Sequence, residues 1–335
     1  MPGSPAAAIE THGLAKRFGR TDALVDLSMR VEAGEVFGFL GPNGAGKTTA
    51  VKLLLGLTRP TGGGGTVLGA PLGDRLARRG IGYLPELFRY QPWLRAREVL
   101  ELHARLIGGD RRGAAARSID AVLGDVGLAD RADDLVGAFS KGMQQRLGLG
   151  VALLGGPSLV VLDEPTSALD PVGRADIRTL IRRVRESGTT VFLNSHLLTE
   201  VERVCDRVAI VDHGRVLASG GLDDLLGAPT ARIRVTDLAP SGRAELERFG
   251  PVVDTDDGWL SISPIDGEAI PDVVASIVVA GGRVHAVDAG RSTLEDLFMR
   301  LVGGTGGDAL GAAGGDALGA ATDAPGARAD PRSTS

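Results

Sequence analysis

The sequence predicts an α/β protein, with a larger domain built on a parallel sheet and a smaller α/β unit after it. Three observations lead there. Val36–Leu40 is a compact apolar run that feeds into a glycine-rich segment, residues 41–46, and then into a helical stretch, residues 48–57. That is the strand–loop–helix opening of a parallel-sheet domain. Leu159–Leu162 is a second apolar run of strand length, and it ends in two carboxylates, Asp163 and Glu164. From about residue 231 the character changes to short alternating strand-like and helix-like segments.

Ahead of the first core strand, residues 9–17 and 25–31 read as strands, the second with alternating apolar positions, and Ala33-Gly34-Glu35 is a turn. Residues 97–107 and 114–127 read as helices separated by Gly108-Gly109-Asp110. Lys141–Leu154 is another helix, closed by Gly155-Gly156-Pro157. Arg174–Glu186 is an amphipathic helix, and Thr190–Leu193 and Arg207–Val211 are two further strands. In the smaller unit the expected order is strand 231–236, helix 243–248, strand pair 252–263, helix 268–279, strand 283–288 and helix 293–302. After Val302 the composition collapses into Gly, Ala and Asp, and the octapeptide GGDALGAA at 306–313 repeats at 314–321. With so few large apolar side chains, residues 303–335 are expected to be disordered.

Composition narrows the function. The 335 residues are 43% hydrophobic, enough to bury a core, and the net charge is −5 with no block of Lys or Arg. No nucleic-acid partner is expected from that balance. Cys205 is the single cysteine, which leaves no disulfide and suits a reducing compartment. The first residues, MPGSPAAAIE, lack the basic and apolar regions of a signal peptide. No stretch reaches the ~18 apolar residues that span a bilayer, so any membrane role is expected to come through a partner. Only four lysines (Lys16, Lys47, Lys52 and Lys141) stand among 37 basic residues. A surviving Lys hints at a place where Arg does not serve.

Gly41-Pro42-Asn43-Gly44-Ala45-Gly46-Lys47-Thr48 fits the phosphate-binding pattern G-x-x-x-x-G-K-[ST] residue for residue. Glycines let the backbone wrap close to phosphate and aim its N–H groups at the oxygens. The helix that follows adds its positive N-terminal end. Lys47 offers a compact charge to the β- and γ-phosphates. Thr48 offers a hydroxyl to Mg2+, with Thr49 beside it in the nucleotide-binding set. The second half of the site is Asp163 and Glu164, at the carboxyl end of a buried strand where ligands of open α/β sheets bind. Asp163 is placed to hold the Mg2+ shell and Glu164 to polarise the attacking water. ATP and Mg2+ are the expected substrate and ion.

At this point the sequence resembles the ABC ATPase family over most of its length. Phe139-Ser140-Lys141-Gly142-Met143-Gln144-Gln145-Arg146 resembles the family signature, with Ser140 and Gly142 at its fixed positions and Phe139, Lys141 and Met143 departing from the commonest spelling. The resemblance implies that this loop reaches the γ-phosphate of a partner's ATP across a head-to-tail dimer. Ser167-Ala168-Leu169-Asp170 resembles the loop that runs between the two subunits, which brings in Asp170. His196, in Asn194-Ser195-His196, resembles the switch histidine at the γ-phosphate. Phe18 resembles the aromatic that stacks on adenine. Where the family usually carries Gln near the Mg2+ water, this chain has Glu86, in Tyr83-Leu84-Pro85-Glu86.

The resemblance implies an ABC ATPase domain over 8–226, with a parallel-sheet core, an antiparallel β subdomain and a helical subdomain at about 87–157. An accessory domain follows at 231–302. Lys47, Glu164 and His196 are the implied catalytic groups. Glu86 and the Ser-Lys-Gly-Met spelling resemble the subfamily that serves type-2 permeases exporting drugs, antibiotics or sodium. The implied protein is an ATPase on the cytoplasmic face of the membrane. It would pair as a homodimer or heterodimer and drive a separately encoded permease. The alternative is a non-transport ABC ATPase of the translation or DNA-repair type. Translation-type members carry two cassettes and this chain has one. Repair-type members carry coiled-coil or zinc insertions, of which the sequence shows no sign.

Overall fold

A computed structural model of the chain describes residues 7–107, 119–167, 169–255 and 258–304. The predicted tail from 305 onward, residues 114–118 of the predicted helix, and Ala168 lie outside the described residues. The first two strands are longer than the sequence suggests: β1 spans Ala7–Phe18 and β2 spans Thr21–Glu32. β3 (Val36–Leu40) and helix α1 (Lys47–Leu54) flank the glycine-rich loop. Next come β4 (Gly62–Val67), β5 (Ala70–Pro71), α2 (Arg75–Arg79) and β6 (Ile81–Leu84). The helices α3 (Ala96–Ile107), α4 (Ile119–Asp125) and α5 (Lys141–Leu153) form a group before β7 (Leu159–Asp163). Then come α6 (Pro171–Glu186), β8 (Thr190–Ser195), α7 (Leu198–Glu202), β9 (Arg207–Asp212), β10 (Arg215–Gly221) and α8 (Leu222–Leu226).

These strands make one ten-stranded sheet in the order β5-β4-β1-β2-β10-β9-β3-β8-β7-β6. β9, β3, β8, β7 and β6 pair in parallel, whereas β1, β2, β4 and β5 pair antiparallel. Both faces of the parallel part are covered, which is why its strands read as unbroken apolar runs. Side chains alternate between two cores. Val36, Leu40, Val160, Leu162, Val191 and Leu193 face a core shared with the helices α3 to α7. Phe37, Phe39, Leu159, Val161 and Phe192 face the other, against α1 and the antiparallel strands. Phe192 stacks on Phe37 with ring centroids 5.9 Å apart and meets Phe39 at 5.3 Å.

Strand β4 has no apolar alternation to announce it, because four of its six residues are glycine. The reason is close approach. A Cβ at Gly63 would lie 2.0 Å from the Gly13 carbonyl oxygen, and one at Gly65 would lie 2.2 Å from that of Glu10. Any side chain at either position would push β4 off β1. Helix α1 starts one residue earlier than the pattern suggests and stops at Leu54 instead of 57, with Gly56 in the left-handed region at φ 66°.

The smaller unit is a second sheet with its own core. It runs β11 (Thr230–Thr236), α9 (Pro240–Leu246), β12 (Val252–Asp254), β13 (Trp259–Ile262), α10 (Ile270–Val279) and β14 (Arg283–Gly290). The four strands are antiparallel in the order β12-β13-β11-β14. That is the β-α-β-β-α-β arrangement of ferredoxin-like units. Ile233, Leu246, Leu260, Ile262, Val273 and Ile277 fill it.

The last helix, α11 (Leu294–Gly304), does not join that core, although the sequence reading places it in the accessory unit. Leu294 and Leu297 are buried in the helix-side core of the larger sheet, with Phe298 and Leu301 packed beside them. This i, i+3, i+4, i+7 stripe is one face of an amphipathic helix. Its first turn is tied down. Thr293 and Asp296 cap each other, with N–H to Oδ2 at 2.9 Å and N–H to Oγ1 at 3.1 Å. The Leu294 N–H donates to Glu202 Oε2 on α7 at 3.0 Å. Residues 303 and 304, expected in the tail, continue this helix.

Candidate functional site

The carboxyl ends of β3, β7 and β8 lie side by side, so the loops that leave them share one edge. From β3 the chain turns through residues 41–46 into α1. Gly46 sits at φ 100°, and a Cβ there would lie 2.4 Å from the Ala23 carbonyl oxygen. The loop therefore has no room for a side chain at its junction with the helix. Asn43, Gly44 and Thr48 are exposed on its rim, Pro42, Gly46 and Thr49 are half-buried, and Gly41, Ala45 and Lys47 are buried. The Lys47 ammonium folds back, donating to the carbonyls of Gly41 at 2.6 Å and Pro42 at 3.2 Å. Burial pulls the Lys47 pKa down, and the negative charges of Glu164, Asp163 and Glu86 pull it back up.

β7 delivers the two acids. Asp163 is the last residue of the strand and is buried. Burial pushes its carboxyl pKa up, and a hydrogen bond from Asn194 Nδ2 to its Oδ1, 2.5 Å long, opposes the shift. Tyr83 on the neighbouring β6 is close enough to feel the same carboxylate. Its hydroxyl is pushed up to about 12 by burial and by Asp163. Glu164 leaves the strand at φ 52°, in the left-handed region that is uncommon for a residue with a Cβ. One of its oxygens, Oε1, lies 2.8 Å from Nδ1 of His196. The other, Oε2, is buried with no hydrogen-bond partner, and so is Asn194 Oδ1. Both are acceptors, so the site wants donors or a cation. Glu86 is exposed in the loop after β6, where its charge acts on both Lys47 and Asp163.

The structure thus brings Lys47, Asp163, Glu164, His196 and Glu86 to one place. Ser140, Gly142 and Asp170 lie elsewhere. They line a groove of about 410 Å³ together with Met143, Arg146 and Asp176, and none of the first group reaches it. Ser140 is the N-cap of α5, its Oγ accepting from the Met143 N–H at 3.2 Å. Asp170 caps α6 in the same way, from the Gly173 N–H at 2.8 Å. Phe18 closes β1 with about half of its surface exposed, and the Lys16 ammonium lies 4.9 Å from its ring centroid.

In sequence, Asn194 does no more than spell the approach to His196. The signal that marks it is an amide directly after the buried apolar run Val191–Leu193. Tyr83 gives no sequence signal beyond its place in the run before Glu86.

The family model described as ABC transporter matches residues 24–167. An uncharacterized ABC transporter ATP-binding protein of Nostoc sp. is 41% identical over 287 residues, covering 84% of this chain and 83% of that one. The chain belongs to the ABC transporter family. The daunorubicin/doxorubicin resistance ATP-binding protein DrrA of Streptomyces peucetius is 35% identical, over 90% of this chain and 94% of that protein. Among solved structures, a dimeric ATP-binding cassette in a post-hydrolysis state with ADP and Pi superposes with a TM-score of 0.56 at 25% identity. It covers 64% of this chain and 99% of its own. As an ABC ATP-binding chain, this protein binds ATP or ADP and hydrolyses ATP. Among the described residues no helix is long and apolar enough to cross a membrane.

Proposed function

We propose that the chain is the ATPase subunit of an ABC exporter, working as a head-to-tail dimer on the cytoplasmic face of the membrane and driving a separate permease. One observation carries this reading. The groups that would meet phosphate, ion and water stand together, while Ser140, Gly142 and Asp170 line a different groove. Each chain then holds two unlike halves of a nucleotide site, and two chains complete two sites. Gly142 fits that role. A Cβ there would meet nothing nearer than Ser140 Oγ at 3.9 Å, so its own chain does not require a glycine.

In this reading the N–H groups of residues 41–46 and the N-terminus of α1 cradle the phosphates. Lys47 swings from the Gly41 and Pro42 carbonyls to the β- and γ-phosphates. The oxygen donors suit Mg2+, which takes few protein ligands and the rest from phosphates and water. Thr48 and Asp163 would hold it, with Glu86 at its water shell. When bound, the ion supplies charge neutralisation as the phosphoryl group leaves. Glu164 keeps Oε1 on His196 and offers Oε2, which has no other partner, to the proton of the attacking water. His196, held by that contact, faces the γ-phosphate. Phe18 stacks on adenine, with Lys16 beside its ring.

The cargo we propose is a drug or an antibiotic. The Streptomyces relative, named for resistance to daunorubicin and doxorubicin, supports that choice. The test is to purify a tagged Glu164→Gln chain from native membranes with Mg2+ and ATP and identify its companions by mass spectrometry. A polytopic permease in stoichiometric amount is the expected result. Ribosomes, nucleic acid or no membrane protein would overturn the exporter reading.

A further inference from the structure

Asn194 has no part in the scheme above, yet its surroundings are unusual. It stands on β8 directly opposite Asp163 on β7. Val191, Phe192 and Leu193 before it are apolar and buried, only the small hydroxyl of Ser195 follows it in the strand, and Asn194 itself is 2% exposed. Sheet packing alone gives no reason for an amide here. The Asn194 carbonyl accepts from the Glu164 N–H at 2.8 Å, so the backbone of the two acids and the amide form one rigid frame.

The side chain has two unlike ends. Nδ2 donates to Asp163 Oδ1 at 2.5 Å, which fixes the amide's orientation and leaves Oδ1 as an acceptor. That acceptor is buried and unpaired, as is Glu164 Oε2 one residue beyond Asp163. A buried polar atom without a partner calls for an explanation such as a missing water or ion. Glu164 Oε2 is answered by the attacking water; Asn194 Oδ1, locked to Asp163 at the ion side of the site, is answered by a water on an ordered, hydrated cation.

We infer that Asn194 is a positioning residue for the divalent ion that accompanies ATP. Its Nδ2 holds one oxygen of Asp163 and so sets the angle of the carboxylate toward the ion's hydration shell, and its Oδ1 accepts a hydrogen bond from a water of that shell. The inference rests on the reading of Asp163 as the ion-side carboxylate. Outer-shell partners of this kind orient ligands and tune ion affinity without touching the ion.

The test uses Asn194→Leu, which removes both hydrogen bonds at similar volume, and Asn194→Ala, which adds no bulk if the leucine chain fails to fold. Binding of a fluorescent ATP analogue is measured in EDTA, then ATPase rate against Mg2+ concentration, with Mn2+ binding followed by electron paramagnetic resonance. The expected result is analogue binding in EDTA within about twofold of the parent, which also reports an intact phosphate loop. The Mg2+ concentration for half-maximal turnover rises by about 10–100-fold, and Mn2+ affinity falls in step. Saturating Mg2+ restores turnover. An unchanged Mg2+ dependence, or equal loss of binding in EDTA and in Mg2+, would overturn the inference. The parent separates the two levels. If it shows no Mg2+ dependence, the reading of Asp163 falls and takes this inference with it. If the parent shows it and the variants keep it, only the role of Asn194 falls.

Discussion

Helix α11 leaves the accessory sheet and buries its apolar stripe in the core of the ATPase, so Leu294→Ala should damage the larger domain and not the smaller one. Leu294 is 0% exposed and lies in the cluster that also holds Val201 of α7 and Leu222 of α8. Truncating a fully buried leucine to alanine costs about 2–5 kcal/mol, the spread depending on how far the site collapses. Leu297, 9% exposed, and the capped first turn still hold the helix, so about 3 kcal/mol is a fair expectation. If that cost falls on docking of the helix alone, its open population rises by roughly 100-fold. Met299 lies on the same helix at 64% exposure, and Met299→Ala should stay within about 0.5 kcal/mol. Hydrogen exchange resolved by peptide reads the difference. Leu294→Ala should speed exchange in α11 and in α7, next to His196, and leave β11 to β14 at the parental rate. Equal exchange in the two variants, or loosening confined to β11–β14, would refute the packing argument.

Three other outcomes follow from the same geometry. Asp163→Asn should raise the melting temperature of the nucleotide-free chain at pH 7, by about 2–4 °C for each kcal/mol of carboxylate burial relieved. Burial raises the folded-state pKa of Asp163. The parent therefore loses stability as pH rises from the ordinary aspartate range through that raised pKa, and the variant does not. The gap should close as pH is lowered through the same window, and a gap that is constant with pH contradicts this. Phe18→Ala should weaken ATP binding by roughly 5–150-fold, the ~1–3 kcal/mol of one base stack, while leaving pyrophosphate affinity unchanged. Titration of both ligands checks it, and equal losses would place Phe18 in the fold instead. The pair Ser140→Ala and Gly142→Asp should leave single-chain ATP binding intact and abolish turnover, because both residues lie in the second groove. Loss of binding by the isolated chain would contradict that placement.

The parts of the site that were legible in the sequence are those where one chain segment carries both position and chemistry. Residues 41–48 announce a phosphate loop because glycine spacing, lysine and the flanking strand and helix are all local. Asp163 and Glu164 are legible because a buried strand cannot carry charges in its middle, and a phosphate loop elsewhere in the chain gives acids at its end a partner. Strand β4 was not legible, since its glycines answer to the carbonyls of β1, 50 and 55 positions back along the chain. The destination of α11 was hidden for a similar reason. An apolar stripe shows that a helix packs, but not against which of two cores. Asn194 is an intermediate case. A polar residue in a buried strand is visible in sequence, but its partner across the ladder becomes visible only once β7 and β8 are known to be adjacent.

If one chain carries two complementary half-sites, as proposed, ATP joins two copies. The most direct measurement is the mass of the Glu164→Gln chain by size-exclusion chromatography with light scattering, with and without ATP. The expected result is monomer without nucleotide and a stable dimer with ATP, lost again when Ser140→Arg is added. A chain that stays monomeric at saturating ATP, while still binding it, would contradict the account.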